Sequence, residues 1–285
     1  MTPSAGAGRA LVAGAGGMLG HDLVPALRRA GWVVTALGRD DLDVTDASQC
    51  VAAVDGHDLV VNAAAYTAVD AAEADEPAAF AVNAVGAANV ARACSRAGAR
   101  LLHVSTDYVF DGTATEPYAV DHPVAPGSAY GRTKAAGEWA VRALCRESWV
   151  VRTAWLYGAG GPSFVSTMLR LAGERETVSV VDDQVGQPTW TVDLADLIVR
   201  LVAGDTAYGI HHGTATGQTT WFGLARAVFE LSGLDPERVL PTTTDAFPRP
   251  APRPAWSVLS HHSLERAGIA AIGDWREGLR THLDA

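Results

Sequence analysis

Short apolar runs rich in β-branched residues alternate along the first half of the chain with Ala-rich stretches of helical length. The runs lie at 10–15, 32–37, 58–64, 100–106 and 149–157. Most of them are continuously apolar, which is typical of parallel strands that helices cover on both faces. The alternation therefore predicts an α/β fold built on a doubly wound parallel sheet.

A glycine-rich turn, GAGGMLG at 14–20, follows the first predicted strand and opens a predicted helix. In such a turn Gly14 permits a tight bend, Gly17 lets the backbone approach a pyrophosphate, and Gly20 lets the helix pack closely on the strand. The helix N-terminus would face the phosphates. We therefore expect a dinucleotide to contact Gly14, Gly16, Gly17, Met18 and Leu19.

The end of the second predicted strand should face the adenosine ribose, and there the sequence reads LGRDD at 37–41. An acid directly after the strand would bind the ribose 2′-hydroxyl, whereas Arg39 would pair with a 2′-phosphate. The pattern favours NADPH as the cofactor and leaves NADH open.

The sequence changes character after the fifth apolar run, where helices are predicted over 163–172 and 193–203 and a Pro-rich stretch occupies 241–254. We expect residues 1–157 to form an NAD(P)-binding Rossmann domain. Residues 158–285 should form a smaller C-terminal substrate lobe, with some elements returning to the main sheet.

A Tyr-x-x-x-Lys pair, Tyr130 and Lys134, opens a further predicted helix, and the four-residue spacing places both side chains on one face. A phenol titrates near 10, so a neighbouring ammonium that favours the phenolate helps it to exchange a proton. The fourth run ends at Ser105 and Thr106, on the carboxyl edge where open α/β sheets bind ligands. Thr106, Tyr130 and Lys134 thus predict a catalytic proton-transfer group beside a nicotinamide, with no metal.

The charge of the chain limits its partners. Its 285 residues carry a formal net charge of −10 without a Lys/Arg cluster, which argues against nucleic acid or an anionic membrane surface. No apolar run approaches the roughly 20 residues of a membrane span, and the start becomes Gly-rich where a signal peptide needs an apolar stretch. We expect a cytoplasmic protein with a small-molecule partner.

Cysteine and histidine spacing indicates no metal site. Cys50, Cys94 and Cys145 are odd in number and far apart, so we interpret them as small buried side chains. The pairs at 211–212 and 261–262 are adjacent histidines, which in a strand would point to opposite faces.

At the same residues the chain resembles the extended short-chain dehydrogenase/reductases, through GAGGMLG, NAAAYT at 62–67 and YGRTK. Six strings, VNAAAYTAVDAAE, HVSTDYVFDG, YGRTKAAGE, VRTAWLYG, DDQVGQPTW and RPAWSVL, are similar to the dTDP-4-dehydrorhamnose reductase family. The resemblance covers nearly the whole chain. It implies NAD(P)H-dependent reduction of the C4 ketone of dTDP-6-deoxy-L-lyxo-4-hexulose to dTDP-L-rhamnose.

The resemblance also implies roles for individual residues. Tyr130 would donate a proton to the ketone oxygen, Thr106 would hydrogen-bond that oxygen, and Lys134 would bind the nicotinamide ribose and keep the Tyr130 pKa low. Further cofactor contacts are implied at Asp43, Val44, Ala63, Ala64 and Ala65. Substrate contacts are implied at Thr67, Val69, Asp70, Thr106, Asp107, Tyr108, Trp155, Arg253 and Trp256.

Some members of this family dimerise through magnesium held by glutamates, whereas this chain carries Asp22 and Val192-Asp193 in the corresponding segments. We therefore expect a monomer or a weak homodimer. Other functions stay open: a reductase of another dTDP-4-keto-deoxysugar or streptose-type precursor in an antibiotic or glycan pathway, and a non-catalytic NADP-binding regulatory subunit. A nucleotide-sugar 4-epimerase is disfavoured by the STDYVFDG and RPAWSVL strings.

Overall fold

The strands of the described part of the chain form one large sheet and four small ones. The computed structural model describes residues 8–204 and 206–285, so part of the N-terminal segment that argued against a signal peptide lies outside the described residues. The strands are β1 (Arg9–Ala13), β2 (Val33–Leu37), β3 (Leu59–Asn62), β4 (Arg100–Thr106), β5 (Ser148–Thr153), β6 (Leu156–Tyr157), β7 (Val178–Val181), β8 (Val185–Gly186), β9 (Thr189–Trp190), β10 (Gly209–His212), β11 (Ala215–Thr216), β12 (Thr219–Thr220), β13 (Val239–Thr242) and β14 (Ile272–Asp274).

The central sheet has six parallel strands in the order β10-β5-β4-β3-β1-β2. The helices are α1 (Met18–Arg29), α2 (Ala47–Val54), α3 (Val69–Ala74), α4 (Glu76–Phe80), α5 (Ala87–Ala97), α6 (Ala129–Leu144), α7 (Phe164–Glu174), α8 (Thr191–Ala203), α9 (Trp221–Leu231), α10 (His262–Arg266) and α11 (Trp275–Asp284). A π-helical turn, Ala81–Gly86, joins α4 to α5.

Helices cover both faces of this sheet, which explains the continuously apolar runs. In β1, Ala10 and Val12 belong to the core shared with α1 and α8, whereas Leu11 and Ala13 belong to the core shared with α2 and α5. Residues buried on both faces need no polar alternation. The predicted doubly wound α/β fold is confirmed.

The chain beyond Tyr157 contributes to two cores. Strand β10 pairs with β5 at the edge of the main sheet, and α8 packs against α1. Helices α7 and α9, with the parallel pair β7 and β13, surround a separate core that contains Met168, Val228 and Phe229. The domain boundary at 157 stays a prediction.

The fifth apolar run is divided in the structure. Strand β5 ends at Thr153 and β6 begins at Leu156, because Trp155 adopts a left-handed backbone conformation with φ +48°. All three cysteines are free and buried. Among the described helices, none has the length and apolar composition required to cross a membrane.

Candidate active site

A cavity of about 1370 Å³ lies along the carboxyl edge of the central sheet and extends to α7 and α9. Every residue predicted to contact the cofactor lines this one cavity. They are Gly14, Gly16, Gly17, Met18, Leu19, Arg39, Asp43, Val44, Ala63, Ala64, Ala65, Tyr130 and Lys134.

The glycine turn has the geometry that a dinucleotide requires. Gly14 has φ +80°, its N–H donates to the Leu37 carbonyl at 3.0 Å, and a Cβ there would lie 2.6 Å from the Ala64 nitrogen. A Cβ at Gly20 would lie 2.5 Å from the Ala15 carbonyl oxygen. No side chain caps the start of α1 after Gly17, so the first amides of the helix can bind phosphate oxygens. The turn therefore fits a pyrophosphate.

The loop after β2 presents a cation to the same cavity. Asp41 accepts a hydrogen bond from the Gly38 amide at 2.9 Å, so its carboxylate is engaged in closing the loop. Arg39 is exposed and has no ion-pair partner in the described ranges. Its guanidinium can thus reach a ribose 2′-phosphate, which fits NADP better than NAD.

The start of α6 is pressed against the turn that follows β4. Ser128 caps the helix by accepting a hydrogen bond from the Gly131 amide at 3.1 Å. A Cβ at Gly131 would collide with the Tyr108 carbonyl oxygen. Glycine after Tyr130 therefore allows the helix to approach β4 closely enough for the phenol to reach Thr106.

Tyr130 holds its proton at neutral pH. Burial raises its pKa to about 12, although a hydrogen bond to Thr106 acts in the opposite direction. A protonated phenol beside a substrate oxygen is suited to act as an acid. The family resemblance implies that Lys134 lowers the Tyr130 pKa. Burial outweighs any such effect, because the net shift of the Tyr130 pKa is upward. The influence of Lys134 on Tyr130 stays a prediction.

A main-chain carbonyl of β4 fixes the Lys134 side chain. The side chain is 2% exposed, and Nζ donates to the Val104 carbonyl at 2.7 Å and lies 3.5 Å from His103 Nε2. Burial lowers the Lys134 pKa to about 8, while the charge of Glu138 raises it. His103 stays neutral because burial and the Lys134 charge hold its pKa well below the ordinary value. Lys134 is therefore a cation at pH 7 with N–H groups left for a ribose.

A buried ion pair fixes α6 to β4 and β5. The carboxylate of Glu138 accepts two hydrogen bonds from the Arg152 guanidinium, at 2.9 and 2.7 Å, and one from Ser105 Oγ at 2.6 Å. Arg152 also donates to the Val120 carbonyl at 3.1 Å. Because Glu138 lies one turn after Lys134, this pair sets the position of the helix that carries Tyr130 and Lys134.

Asp107 adds a buried carboxyl group to the site. It accepts a hydrogen bond from Thr106 Oγ1 at 2.9 Å, and its other oxygen has no partner among the described residues. Burial raises its pKa to about 6, against hydrogen bonds that lower it. The Tyr108 ring lies 5.7 Å from that of Tyr130 in an edge-to-face contact. Asp107 is therefore a buried carboxyl group that contacts the site through the Thr106 hydroxyl.

The predicted substrate contacts divide into two groups. Those that line the cavity are Thr67, Val69, Thr106, Asp107, Tyr108 and Trp155. Asp70 and Arg253 form an ion pair of 2.9 Å outside its wall, close enough to Tyr108 for both charges to influence the Tyr108 pKa. Trp256 donates from Nε1 to the Glu116 carbonyl at 3.0 Å, so its polar edge is already engaged. The structure does not bring these last three residues into the cavity.

The cavity wall also contains residues that sequence reasoning missed, among them Thr153, Phe164 and Trp221. Thr153 ends β5 and is the register partner of Thr106 on β4, which its place in the fifth apolar run could have indicated. Phe164 and Trp221 come from the starts of α7 and α9. No local motif marks either of them.

Comparisons with known proteins agree with this geometry. The family model described as RmlD substrate binding domain matches residues 8–285. The chain is 52% identical over 278 residues to dTDP-4-dehydrorhamnose reductase of Streptomyces griseus, covering 95% of this chain and 91% of the relative. It is 50% identical over 274 residues to dTDP-4-keto-6-deoxy-D-glucose reductase of Streptomyces niveus, covering 95% of each.

A solved structure gives the same result at the level of the fold. The crystal structure of dTDP-4-dehydrorhamnose reductase from Bacillus anthracis in complex with NADP superposes with a TM-score of 0.94 at 38% identity, covering 98% of this chain and 99% of that chain. The resemblance to the dTDP-4-dehydrorhamnose reductases is confirmed.

Proposed function

The chain belongs to the RmlD substrate binding domain family, and from that premise we propose that it is an NADPH-dependent 4-ketoreductase of a dTDP-linked 6-deoxy sugar. The reaction converts dTDP-4-dehydrorhamnose to dTDP-L-rhamnose. The observation that carries the proposal is that Thr106, Tyr130 and Lys134 share one cavity with the glycine turn and Arg39.

The cofactor supplies the hydride that reduces C4, and the protein supplies binding and a proton. The amides that begin α1 and the side chain of Arg39 would hold the phosphates, while the small side chains of Ala63 and Ala64 leave space for the cofactor. NADPH is the cofactor that the residues fit, and NADH would lack only the partner of Arg39.

Proton transfer is assigned to Tyr130. As C4 is reduced, negative charge develops on the ketone oxygen, and the phenol of Tyr130 donates a proton to it. Thr106 Oγ1 donates its one hydrogen bond to Asp107 at 2.9 Å, so the hydroxyl must turn away from that carboxylate to donate to the ketone oxygen and orient it. Lys134 holds the nicotinamide ribose and stabilises the phenolate left after transfer, because a cation beside it favours the charged form.

Arg253 and Trp256 lie outside the cavity, and each must leave its present partner to reach a substrate. Arg253 is suited to a diphosphate, but it is paired with Asp70 at 2.9 Å. We assign the diphosphate to Arg253 after this pair opens. Trp256 would contact the sugar only by leaving the Glu116 carbonyl.

A second candidate is reduction of a differently configured dTDP-4-keto sugar. It is favoured by the relative from Streptomyces niveus, which is named dTDP-4-keto-6-deoxy-D-glucose reductase and is 50% identical to this chain. The same catalytic residues would serve both reactions, since the configuration of the sugar changes its contacts and not the proton donor. A non-catalytic regulatory role has less support, because Thr106, Tyr130 and Lys134 are all retained.

The test compares kcat/KM for the two 4-keto sugars with NADPH and with NADH, followed by the absorbance at 340 nm. We expect dTDP-4-dehydrorhamnose with NADPH to give the highest value. A higher value for dTDP-4-keto-6-deoxy-D-glucose would establish the second candidate, and no oxidation with either sugar would overturn both.

The oligomeric state and the cellular location are separate proposals. The expected monomer or weak homodimer is tested by sedimentation at micromolar protein with and without magnesium, where a tight metal-dependent dimer would contradict it. Location in the cytoplasm, with no nucleic-acid or membrane partner, stays a prediction from charge and composition.

A further inference from the structure

Trp155 is held in a conformation that its own backbone disfavours. It is the one non-glycine residue with positive φ, +48°, in the described ranges, and it lies between β5 and β6. Residues in the left-handed region persist where the surrounding structure fixes them, and they concentrate at binding sites.

Two contacts hold the Trp155 indole. A Cβ at Gly186 would lie 2.6 Å from Cζ2 and 2.7 Å from Nε1, so only glycine leaves room for the ring. The Trp221 indole stacks on it with centroids 3.6 Å apart and planes at 7°. Stacking at this distance fixes the orientation of both rings.

Trp221 is itself rigidly placed. It is the first residue of α9, whose N-cap Thr220 accepts a hydrogen bond from the Gly223 amide at 3.0 Å. Strand β12 just before it pairs with β8, with Thr219 opposite Gly186. The same two-strand unit therefore provides both the space behind Trp155 and the ring stacked on it.

This stack lies beside the catalytic group. Thr153 is the register partner of Thr106, and Trp155 follows it by two residues. Trp155, Trp221 and Phe164, whose ring is 4.6 Å from that of Trp221, all line the cavity. An apolar aromatic wall therefore begins next to the hydroxyl that would orient the ketone.

We propose that Trp221 is a positioning residue for the sugar subsite: with Gly186, it holds Trp155 so that the aromatic wall accepts the apolar, methyl-bearing face of the 6-deoxy sugar. The inference rests on the proposed function for the identity of the sugar. The wall recognises the deoxyhexose ring and leaves the nucleoside diphosphate to other residues.

The test uses variants that disturb each of the two contacts of Trp155. Trp221→Ala removes the stacked ring, Trp221→Phe keeps an aromatic ring, and Gly186→Ala displaces the Trp155 indole without changing Trp221. The matched control is Trp139→Ala, because Trp139 is 62% exposed and is not part of the cavity wall.

Steady-state kinetics should show a split between KM and kcat. We expect Trp221→Ala and Gly186→Ala to raise the KM for the 4-keto sugar about tenfold, with a smaller change in kcat, since lost apolar contacts of this size change discrimination by about that factor. Trp221→Phe should recover part of the loss. The KM for NADPH should not change in any variant.

Calorimetric titration provides a readout that does not need turnover. The ratio of the Kd for dTDP to the Kd for dTDP-L-rhamnose reports the sugar contribution alone, and it should fall in Trp221→Ala and Gly186→Ala but not in the Trp139 control. Far-ultraviolet circular dichroism checks the geometry, because stacked indoles give a coupled pair of bands that both variants should lose.

The outcomes separate this inference from the proposed function. A wild-type enzyme that reduces the sugar, with unchanged sugar KM and unchanged Kd ratio in all Trp221 and Gly186 variants, would overturn the role of Trp221 alone. Absence of turnover in the wild type would overturn the proposed function, and the Kd ratio would still decide whether the wall binds a deoxy sugar. Should Trp221→Ala fail to fold, Trp221→Phe and Gly186→Ala decide the matter.

Discussion

Replacing Glu138 by Gln tests the buried ion pair that fixes α6, and with it Tyr130 and Lys134, to the sheet. The side chains of Arg152 and Glu138 are 1% and 2% exposed. The carboxylate accepts three hydrogen bonds, at 2.9 and 2.7 Å from Arg152 and at 2.6 Å from Ser105. Glutamine keeps the shape of the side chain but removes the charge, so the Arg152 guanidinium is left buried without an anion.

The size of the effect follows from the burial. Removing one partner of a fully buried pair costs about 3–5 kcal/mol, because the remaining charge is not compensated. The entropy of unfolding of a chain of 285 residues is roughly 0.6 kcal/mol/K, at about 2.1 cal/mol/K per residue. Tm should therefore fall by about 5–8 °C.

Differential scanning calorimetry measures this change, with an exposed ion pair as the control. Arg170 and Glu174 are 2.6 Å apart on the surface of α7, with side chains 59% and 52% exposed. Glu174→Gln should lower Tm by less than about 1 °C, because solvent screens such pairs. Replacing Glu138 and Arg152 together by Leu and Met should recover most of the loss, since no charge then stays buried.

Two results would refute this reasoning. A Tm of Glu138→Gln within 1–2 °C of the Glu174→Gln value corresponds to a difference of only about 1 kcal/mol in the free energy of unfolding. It would show that the buried Arg152 charge is compensated in another way. A double variant less stable than Glu138→Gln would show that packing, and not the unpaired charge, dominates.

Three further predictions concern the site itself. Tyr130→Phe should lower kcat by about 10²–10⁴-fold with unchanged NADPH affinity, because the ring remains but the proton is gone; an unchanged kcat would exclude the acid role. Gly14→Ala should lose at least about 1–2 kcal/mol of stability and bind NADPH weakly, since φ is +80° and a Cβ would lie 2.6 Å from backbone, whereas Gly16→Ala meets nothing within 4 Å and should unfold like the wild type. Equal urea midpoints for these two variants would contradict that account. For Asp107, burial raises the pKa from 3.8 to about 6. As the pH rises through this interval, the unfolded chain loses the proton before the folded chain does. The contribution of the carboxyl group to the free energy of unfolding therefore falls by on the order of 3 kcal/mol. Asp107→Asn should lack this fall, and urea unfolding with the same pH dependence as the wild type would contradict the shift.

The cofactor half of the site could be predicted from sequence because its chemistry is local. Gly14 and the residues after β2 and β3 follow parallel strands directly, Thr106 ends β4, and the carboxyl ends of parallel strands meet at one edge. Tyr130 and Lys134 needed only the helical period and a place after β4. Strand and helix patterns were sufficient to bring these residues together.

The substrate half could not be predicted in the same way, because its geometry depends on contacts distant in sequence. Trp221 reaches Trp155 through the pairing of β12 with β8, which no periodicity indicates. Arg253 and Trp256 occur in a recognisable string, yet Arg253 is paired with Asp70 and Trp256 is bonded to the Glu116 carbonyl. A sequence motif identifies a residue, but the direction in which its side chain points depends on the group that it contacts in the folded chain.

The pKa of Tyr130 and the pairing of Glu138 with Arg152 also could not be predicted from the sequence. The spacing of Tyr130 and Lys134 suggested a lowered phenol pKa, whereas burial raises the Tyr130 pKa to about 12. The extent of burial depends on how closely α6 approaches β4, and this follows from the collision that a side chain at Gly131 would have with Tyr108. Glu138 and Arg152 likewise become partners only when α6 packs on β5.

The most direct test of the central claim follows the hydrogen that is transferred. The purified protein is incubated with NADPH deuterated at nicotinamide C4, on each face in turn, and with dTDP-4-dehydrorhamnose, and the sugar product is analysed by NMR and mass spectrometry. The account predicts dTDP-L-rhamnose with deuterium at C4 from one of the two faces, one NADP⁺ formed per sugar, and loss of this transfer in Tyr130→Phe. Unlabelled sugar with the cofactor unchanged, or deuterium at any other carbon, would contradict it.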